Sequence, residues 1–154
     1  MTDFQAIADR VEIEALRAEY TDAGLMRDYD RFADLFTADA VMRIPEAGVE
    51  LNGRNEIRAG IERLQGFWEF FVQNTHQGAL TVSGDEASGR AHMHELGRLR
   101  DGTSHVNYAI YHDRYRRTES GWRFTERSYE IRYHDATPLP GTPGLANLGA
   151  SVTD

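Results

Sequence analysis

Apolar residues near the N-terminus recur at steps of three and four, which predicts a long amphipathic helix over residues 4–28. Thr2 or Asp3 can cap its first turn. Acidic and basic residues fill the other face of this helix. The apolar positions are Phe4, Ile7, Ala8, Val11, Ala15, Leu16, Tyr20, Ala23 and Gly24.

The following segment alternates between short elements and turns. The pattern predicts a short helix at 29–36, a turn at 37–39, strands at 40–44 and 49–52, and a third helix that begins after Gly53. The apolar stripe of this third helix comprises Ile57, Ile61, Leu64, Phe67, Trp68 and Phe71. We expect Phe67 and Phe71 to pack in the core.

Beyond residue 76 the apolar positions recur at every second residue, which is typical of strands. Four strands are predicted, at 80–83, 88–99, 104–117 and 122–133, with turn residues between them. Strands joined in series by short turns form a strongly curved antiparallel sheet, and the helices are expected to cover its concave side. Residues 1–134 therefore form one domain. The Pro/Gly-rich tail, 135–154, is predicted to be disordered or to lie across a neighbouring subunit.

The composition narrows the class of protein. The chain has 154 residues, no cysteine and a formal net charge of −8. Disulfides and thiolate metal sites are excluded, and a nucleic-acid partner is disfavoured because phosphate binding needs clustered Lys and Arg. The sequence contains neither a membrane-length apolar run nor a signal-peptide pattern, so we expect a cytoplasmic enzyme or binding protein with no membrane partner.

The order of elements resembles the SnoaL-like, or nuclear-transport-factor-2-like, superfamily. The resemblance covers roughly residues 5 to 134. It is carried by Tyr20–Ala23, Asp30–Phe36, Asp39-Ala40, His76, and Tyr111–Arg117 before Gly121-Trp122-Arg123. It implies an α+β fold: a cone-shaped barrel, in which a curved antiparallel sheet covered by N-terminal helices encloses one apolar cavity.

The dehydratase branch of this superfamily, which includes scytalone dehydratase, bile-acid dehydratase and hexachlorocyclohexane dehydrochlorinase, uses a His at the place of His76 as a base. The same resemblance implies that an Asp at position 25 orients that His, but this chain has Leu25. The acids that could replace it are Asp22, Asp28, Glu95 and Asp113. Without the resemblance, the favoured interpretation is a His at a helix C-terminus, where the helix dipole stabilises a protonated imidazole.

Further candidate residues lie on helix 1 and on the strands. The resemblance implies that Tyr20 is a pocket residue that donates a hydrogen bond to an oxyanion, and the alternative is a core tyrosine. Asn107, Tyr111 and Asp113 share one strand face, which is either a sparse polar set in an apolar pocket or part of a cross-strand aromatic ladder. The predicted substrate-binding residues are Leu25, Phe71, Asn107, Tyr111 and Asp113.

Metal and cofactor chemistry are disfavoured. His92 and His94 share a strand face and could contribute two zinc ligands, but no third His is close in sequence, so a polar outer face is the favoured interpretation. The sequence has no phosphate-binding glycine loop, no nucleophile elbow and no HExxH motif. We therefore expect no metal and no cofactor.

The leading function is a cofactor-independent lyase or isomerase, similar to scytalone dehydratase, that acts on a small hydrophobic, oxygenated ring compound. His76 is the predicted base and Tyr20 the second catalytic residue. The main alternative is a non-catalytic small-molecule-binding or accessory protein of the same fold, and a limonene-type epoxide hydrolase ranks lowest. We also expect a homo-oligomer, with a trimer favoured over a dimer.

Overall fold

Seven strands form one curved, open sheet in the computed structural model, which describes residues 3–144. The helices are α1 (Phe4–Leu25), α2 (Tyr29–Asp34) and α3 (Arg54–Gln65). The strands are β1 (Phe36–Ile44), β2 (Val49–Asn52), β3 (Trp68–Thr75), β4 (Leu80–Ser83), β5 (Glu86–Leu99), β6 (Ser104–Thr118) and β7 (Gly121–Asp135). The predicted α+β class with helices packed on a curved sheet is confirmed. None of the helices in the described part of the chain is long and apolar enough to cross a membrane.

The strand order is β2-β1-β7-β6-β5-β3, and β4 pairs with the first part of β5. Neighbouring strands are antiparallel except β1 and β7, which are parallel. The predicted all-antiparallel sheet was therefore wrong at this one pair. The long strands β5, β6 and β7 form its centre, and their concave side carries the polar residues described below.

The buried face of α1 differs from the predicted one. Asp3 caps the helix by accepting hydrogen bonds from two backbone N–H groups. Ile13, Leu16 and Tyr20 are buried, but Phe4 is 79% exposed. The other exposed positions of the predicted apolar stripe are Ile7, Ala8, Val11 and Ala15. The stripe prediction was wrong over this half of the helix, because charged residues that pair with the sheet occupy its inward positions.

Asp9 is one of these inward charges. Its carboxylate accepts hydrogen bonds from Arg117 at 2.7 and 3.0 Å, from the Trp122 indole at 3.2 Å and from Gln5 at 2.9 Å. The hydrogen bond from Arg117 outweighs the effect of burial and lowers the pKa of Asp9 to about 2. The first half of α1 is thus fixed to β6 and β7 through an ion pair, and not through the apolar stripe.

We expect Asp9 to stabilise the fold only while it is ionised. Its folded-state pKa is depressed, so its contribution is complete above the unfolded pKa of about 4 and is lost as the pH falls towards about 2. The difference in unfolding free energy between the wild type and Asp9→Asn, measured by urea titration, should therefore shrink from pH 6 to pH 2.5. Asp34→Asn, an exposed substitution with the same change in charge, is the control. A constant Asp9→Asn difference across this range would contradict the assignment.

The third helix ends six residues earlier than predicted. It stops at Gln65, and Trp68–Thr75 forms β3, which pairs antiparallel with β5. The aromatic residues that were assigned to the helical stripe have high strand propensity, and β5 offers them backbone partners. Phe67 is 57% exposed, so its predicted core position was wrong. Phe71 is partly buried and faces the cavity.

The predicted turn at 37–39 was also wrong. β1 begins at Phe36, which is the register partner of Phe124 on β7, and the pairing resumes at Val41 after an irregularity. The backbone stays extended because β7 lies beside it, which the local sequence does not reveal. The strands predicted at 49–52 and 80–83 have the predicted limits.

The first part of the predicted tail runs along its own sheet. The backbone carbonyl of Leu139 accepts a hydrogen bond from Arg98 at 2.6 Å, and its N–H donates to Ser104 at 3.0 Å. Residues 136–144 have no regular secondary structure, as predicted, but these two bonds fix them to β5 and β6. The rest of the predicted tail lies outside the described residues.

Candidate functional site

One cavity of about 450 Å³ lies between the helices and the concave side of the sheet. Its apolar lining includes Leu25, Phe32, Met42, Ile61, Leu64, Trp68, Phe71, Leu99 and Ile131. Its polar lining includes Tyr20, Gln73, Glu95, His105, Asn107, Tyr111, Tyr129 and His134. A volume of this size holds a small ring compound, and a few convergent polar groups in an apolar wall are typical of a small-molecule site.

Trp68 and Phe71 form the part of the wall contributed by β3. Their rings lie 5.2 Å apart, and the ring of His105 meets Trp68 edge-on at 5.6 Å. A Cβ atom at Gly97 would come within 2.7 Å of the Trp68 ring and of the backbone of Phe70. Glycine at position 97 therefore lets β3 and the indole lie close against β5.

Glu95 is the central polar group of the cavity. Its Oε1 accepts hydrogen bonds from Asn107 at 3.0 Å and Tyr129 at 2.5 Å, and its Oε2 accepts one from Gln73 at 3.0 Å. Burial, and next the charge of Glu95, raises the pKa of Tyr129, so the phenol keeps its proton and donates it. Three donors thus hold the carboxylate in one orientation.

The hydrogen bonds to Glu95 also fix the tautomer of His134. A carboxylate only accepts, so Asn107 must turn its NH₂ group to Glu95 and its carbonyl oxygen to His134. The 2.7 Å contact to that oxygen then requires a proton on Nδ1 of His134. In the neutral imidazole, Nε2 carries the lone pair and can act as a base.

His105 lies beside His134, with 5.2 Å between the ring centroids. Burial, and next the positive charge that His134 can carry, lowers the pKa of His105. His105 is thus less basic than an ordinary histidine, and it adds a largely uncharged ring to the wall of the cavity.

Two phenols lie at the buried side of the cavity. The hydroxyls of Tyr20 and Tyr111 are 3.3 Å apart, and Gln73 donates to the Tyr111 oxygen at 3.1 Å. Burial raises the pKa of both phenols, so both keep their protons at neutral pH. One of the two hydroxyl protons forms the hydrogen bond between Tyr20 and Tyr111, and the other can be donated to a ligand. Gln73 links this pair to Glu95, so a continuous row runs from Tyr20 to His134.

Arg127 lies behind the phenols and is fully buried. Its guanidinium carbon is 3.8 Å from the centre of the Tyr111 ring and 4.2 Å from that of Tyr20. Asp113 accepts two hydrogen bonds from Arg127, at 2.8 and 2.9 Å. Burial lowers the pKa of Arg127, but the attraction of Asp113 outweighs it, and the net pKa is above the ordinary value.

Asp113 does not line the cavity, which contradicts its predicted position among the pocket residues. Its carboxylate binds Arg127 and accepts a hydrogen bond from Tyr115 at 2.7 Å, and Tyr115 in turn accepts one from Arg17. It does share a strand face with Asn107 and Tyr111, as predicted, but it belongs to a buried charge cluster behind the cavity wall.

His76 lies outside the cavity, which contradicts its predicted position. It follows the last residue of β3 and its side chain is exposed, with Nε2 3.0 Å from Nδ1 of His94. Successive strand residues point to opposite sides of the sheet, and in the observed register Gln73 takes the inward direction. Leu25 does line the cavity, so an acid at position 25 would not meet His76, and the expected pairing of these positions was wrong.

The other predicted substrate-binding and catalytic residues do line the cavity. Tyr20, Leu25, Phe71, Asn107 and Tyr111 line the cavity, although their roles stay predictions. His92 and His94 are on the outer side of the sheet, and the His94 ring stacks on Tyr108. Residues 3–144 contain no cluster of three or more His, Asp or Glu that could hold a metal ion.

Sequence reasoning missed His134, Gln73 and Tyr129. Tyr129 lies within the strand predicted at 122–133, but the sequence gives no reason to prefer it over other tyrosines. His134 lies just beyond the strand predicted to end at 133. Glu95 was considered, but only as a partner for His76.

The fold and the site together define a class: within residues 3–144, an α+β protein whose curved open sheet is covered by three α-helices and borders a largely apolar cavity that contains a hydrogen-bonded polar row. The model of the SnoaL-like domain matches residues 5–128. The chain therefore belongs to the SnoaL-like domain family, within the predicted superfamily.

Individual relatives show the same relationship. A gamma-hexachlorocyclohexane dehydrochlorinase of Sphingobium indicum is 27% identical over 146 residues, which cover 92% of this chain and 90% of that protein. The crystal structure of a proposed aromatic ring hydroxylase from Novosphingobium aromaticivorans superposes with a TM-score of 0.76 at 28% identity, covering 92% and 97% of the two chains. A proposed scytalone dehydratase from the same species shares the fold, with a TM-score of 0.77 at 20% identity and coverage of 94% and 97%.

Proposed function

We propose that this protein is a cofactor-independent lyase or isomerase that acts on a small hydrophobic, oxygenated ring compound. The observation that supports the proposal is the hydrogen-bonded row along the cavity lining, with the imidazole of His134 at its exposed end and the phenols of Tyr20 and Tyr111 at its buried end. The similarity to a dehydrochlorinase supports a lyase-type reaction in the family. The base proposed here is His134, in place of His76.

His134 takes a proton from a ring carbon next to a carbonyl group. Its Nε2 carries the lone pair, and Asn107 holds the Nδ1 proton on the opposite side of the ring. The imidazolium that forms is stabilised through Asn107 by the negative charge of Glu95. Asn107 and Glu95 are positioning residues in this scheme, because they act on the substrate through His134.

The phenol pair stabilises the negative charge that develops on the carbonyl oxygen. Tyr20 and Tyr111 have one proton free for a ligand, and they lie in a buried environment where a hydrogen bond to an oxyanion is strong. Arg127 contacts the faces of both rings and adds positive charge behind them. The enolate-like transition state is thus bound more tightly than the neutral ketone.

Elimination completes the reaction. The electron pair of the broken C–H bond forms the new C=C bond, and a hydroxide leaves from the neighbouring carbon. His134 returns its proton to this hydroxide, so the products are the unsaturated ring compound and water. Return of the proton to a different carbon gives an isomerase by the same machinery.

A turnover assay tests the proposal. The cyclic β-hydroxy ketone 3-hydroxy-1-tetralone fits the proposed chemistry, and its loss of water gives 1-naphthol, which is followed by absorbance. We expect catalysed formation of the naphthol above the buffer rate. If neither this compound nor a panel of monocyclic β-hydroxy ketones turns over, the non-catalytic binding protein becomes the better interpretation, and Leu25, which leaves helix 1 without a cavity carboxylate, favours that alternative.

We expect the turnover rate to be insensitive to metal chelation. The proposed steps use only protein side chains. Dialysis against EDTA should leave kcat unchanged within error, as measured in the same absorbance assay. Complete loss of activity on chelation, with recovery on adding zinc, would overturn the proposed mechanism.

We expect the protein to be a homo-oligomer. Phe4, Ile7 and Val11 expose an apolar stripe on α1, and Tyr108 and Tyr133 expose aromatic rings on the outer side of the sheet. Burying such surfaces against another copy is favourable because it removes apolar area from water. Multi-angle light scattering at micromolar concentration should give a mass above that of one chain, 17.5 kDa. A monomer mass under these conditions would refute the prediction.

A further inference from the structure

We propose that Glu95 makes the cavity selective by charge. The cavity accepts neutral ring compounds and ring compounds with a protonated amine, and it rejects those with a carboxylate or another anionic group. This inference rests on the proposed function only in taking a ring compound as the occupant. It assigns to Glu95 a second role, in which its carboxylate contacts the ligand directly.

The fixed charges of the cavity lining are all negative. Glu46 and Glu95 belong to the lining, which contains neither Lys nor Arg. Arg27 lines a small recess next to the cavity, but not the cavity itself. Arg127, behind the phenols, is paired with Asp113 through two hydrogen bonds. Among the described residues, the lining thus offers no Lys or Arg to pair with an anionic ligand, and its only groups that can carry a positive charge are the imidazoles of His105 and His134.

Glu95 retains capacity for one ligand donor. A carboxylate has about four acceptor positions. The two on Oε1 are used by Asn107 and Tyr129, and one on Oε2 is used by Gln73. A hydroxyl or ammonium group of a ligand can donate to the remaining position. A ligand carboxylate has no proton to donate, and it would meet the charge of Glu95 in a partly buried, low-dielectric setting where repulsion is strong.

The surroundings of Glu95 suit a cation better than an anion. Tyr129, Trp68 and Phe71 line the same cavity, and the faces of such rings attract ammonium groups. Glu46 is exposed and is oriented by the N–H of Ile131, which donates to it at 3.0 Å. Its charge adds to that of Glu95 and opposes the entry of anions.

Three tetralin derivatives of nearly the same shape test the proposal: tetralin-2-ol, 2-aminotetralin and tetralin-2-carboxylate. At pH 7 they are neutral, cationic and anionic. Calorimetric titration of the wild-type protein should give a Kd for the carboxylate at least about tenfold weaker than for the alcohol, whereas the amine should bind at least as tightly as the alcohol. Equal or tighter binding of the carboxylate, or no binding of any of the three, would overturn the proposal.

Glu95→Gln should change the three affinities in different directions. The amide keeps the shape and removes the charge, so we expect the amine to bind about tenfold weaker and the carboxylate about fivefold tighter, with the alcohol within about threefold. A general loss of packing would weaken all three together, and this result would refute a charge-based role. Glu86→Gln is the matched control, since it makes the same change on the same strand at an exposed position. If Glu95→Gln does not fold, as judged by circular dichroism, Glu95→Met provides the same comparison.

This result is independent of turnover, because the three compounds are not substrates for elimination. If the three probes bind in the expected order but no β-hydroxy ketone turns over, the proposed lyase activity is rejected and the charge selectivity is retained. Turnover together with equal binding of the three probes would reject the charge selectivity alone.

Discussion

His134→Ala should lower kcat for dehydration of the β-hydroxy ketone by about 10²–10⁴-fold, the range for loss of a general acid–base group. In the proposed reaction, His134 both removes the carbon-bound proton and protonates the leaving hydroxide. KM should change much less than kcat, because the apolar wall and the phenol pair still bind the substrate. Steady-state rates of naphthol formation measure both parameters.

His76→Ala is the matched control for this experiment. His76 is the residue that the family resemblance assigned as the base, but it is exposed on the outer side of the sheet. Its replacement should leave kcat within about twofold of the wild type. The reverse outcome, in which His76→Ala abolishes turnover and His134→Ala does not, would refute the assignment of the base and restore the prediction from the resemblance.

Arg127→Met should destabilise the fold by about 3–5 kcal/mol, the range for breaking a buried ion pair. Arg127 and Asp113 are both fully buried and are joined by two hydrogen bonds. Removing the guanidinium leaves the carboxylate buried without its main partner, although Tyr115 still donates to it. Urea unfolding at pH 7 measures the change in free energy.

Arg58→Met is the control for this prediction, because Arg58 forms exposed ion pairs with Asp30 and Glu62. We expect it to cost less than about 1 kcal/mol. The double variant Arg127→Met/Asp113→Leu should be more stable than the sum of the two single effects predicts, since it does not leave the Asp113 carboxylate buried without Arg127. Arg17, which also pairs with Asp113, keeps its hydrogen bonds to Tyr115 and Ala79. Similar costs for Arg127→Met and Arg58→Met would show that the buried pair contributes little to stability.

Local pattern was sufficient to predict most strands and, along β5 and β6, which residues share a face. The alternation along β6 placed Asn107, Tyr111 and Asp113 on one face, and the structure has them there. The alternation could not show that the Asp113 carboxylate lies behind the cavity wall, because this position depends on its ion pair with Arg127 of the next strand. For the same reason the pattern predicted a turn at 37–39, where the first residues of β1 are extended because they lie beside β7.

The segment 66–76 shows why His76 was expected to face the cavity. Its apolar spacing fits a helix, and its aromatic residues also fit a strand. Pairing with β5 decides in favour of the strand and sets which residues face inward. Because side chains alternate along a strand, this register directs Gln73 to the cavity and leaves His76 on the outer side.

The sequence by itself determined the α+β class, the family resemblance, the helices at the N-terminus and the strand periodicity, because these depend on neighbouring residues and on element order. Only the tertiary structure decided which polar residues share the cavity. Glu95, Asn107 and His134 come from three successive strands, and their contacts depend on strand register. A row of hydrogen bonds between residues 12 and 27 positions apart leaves no local pattern from which it could be predicted.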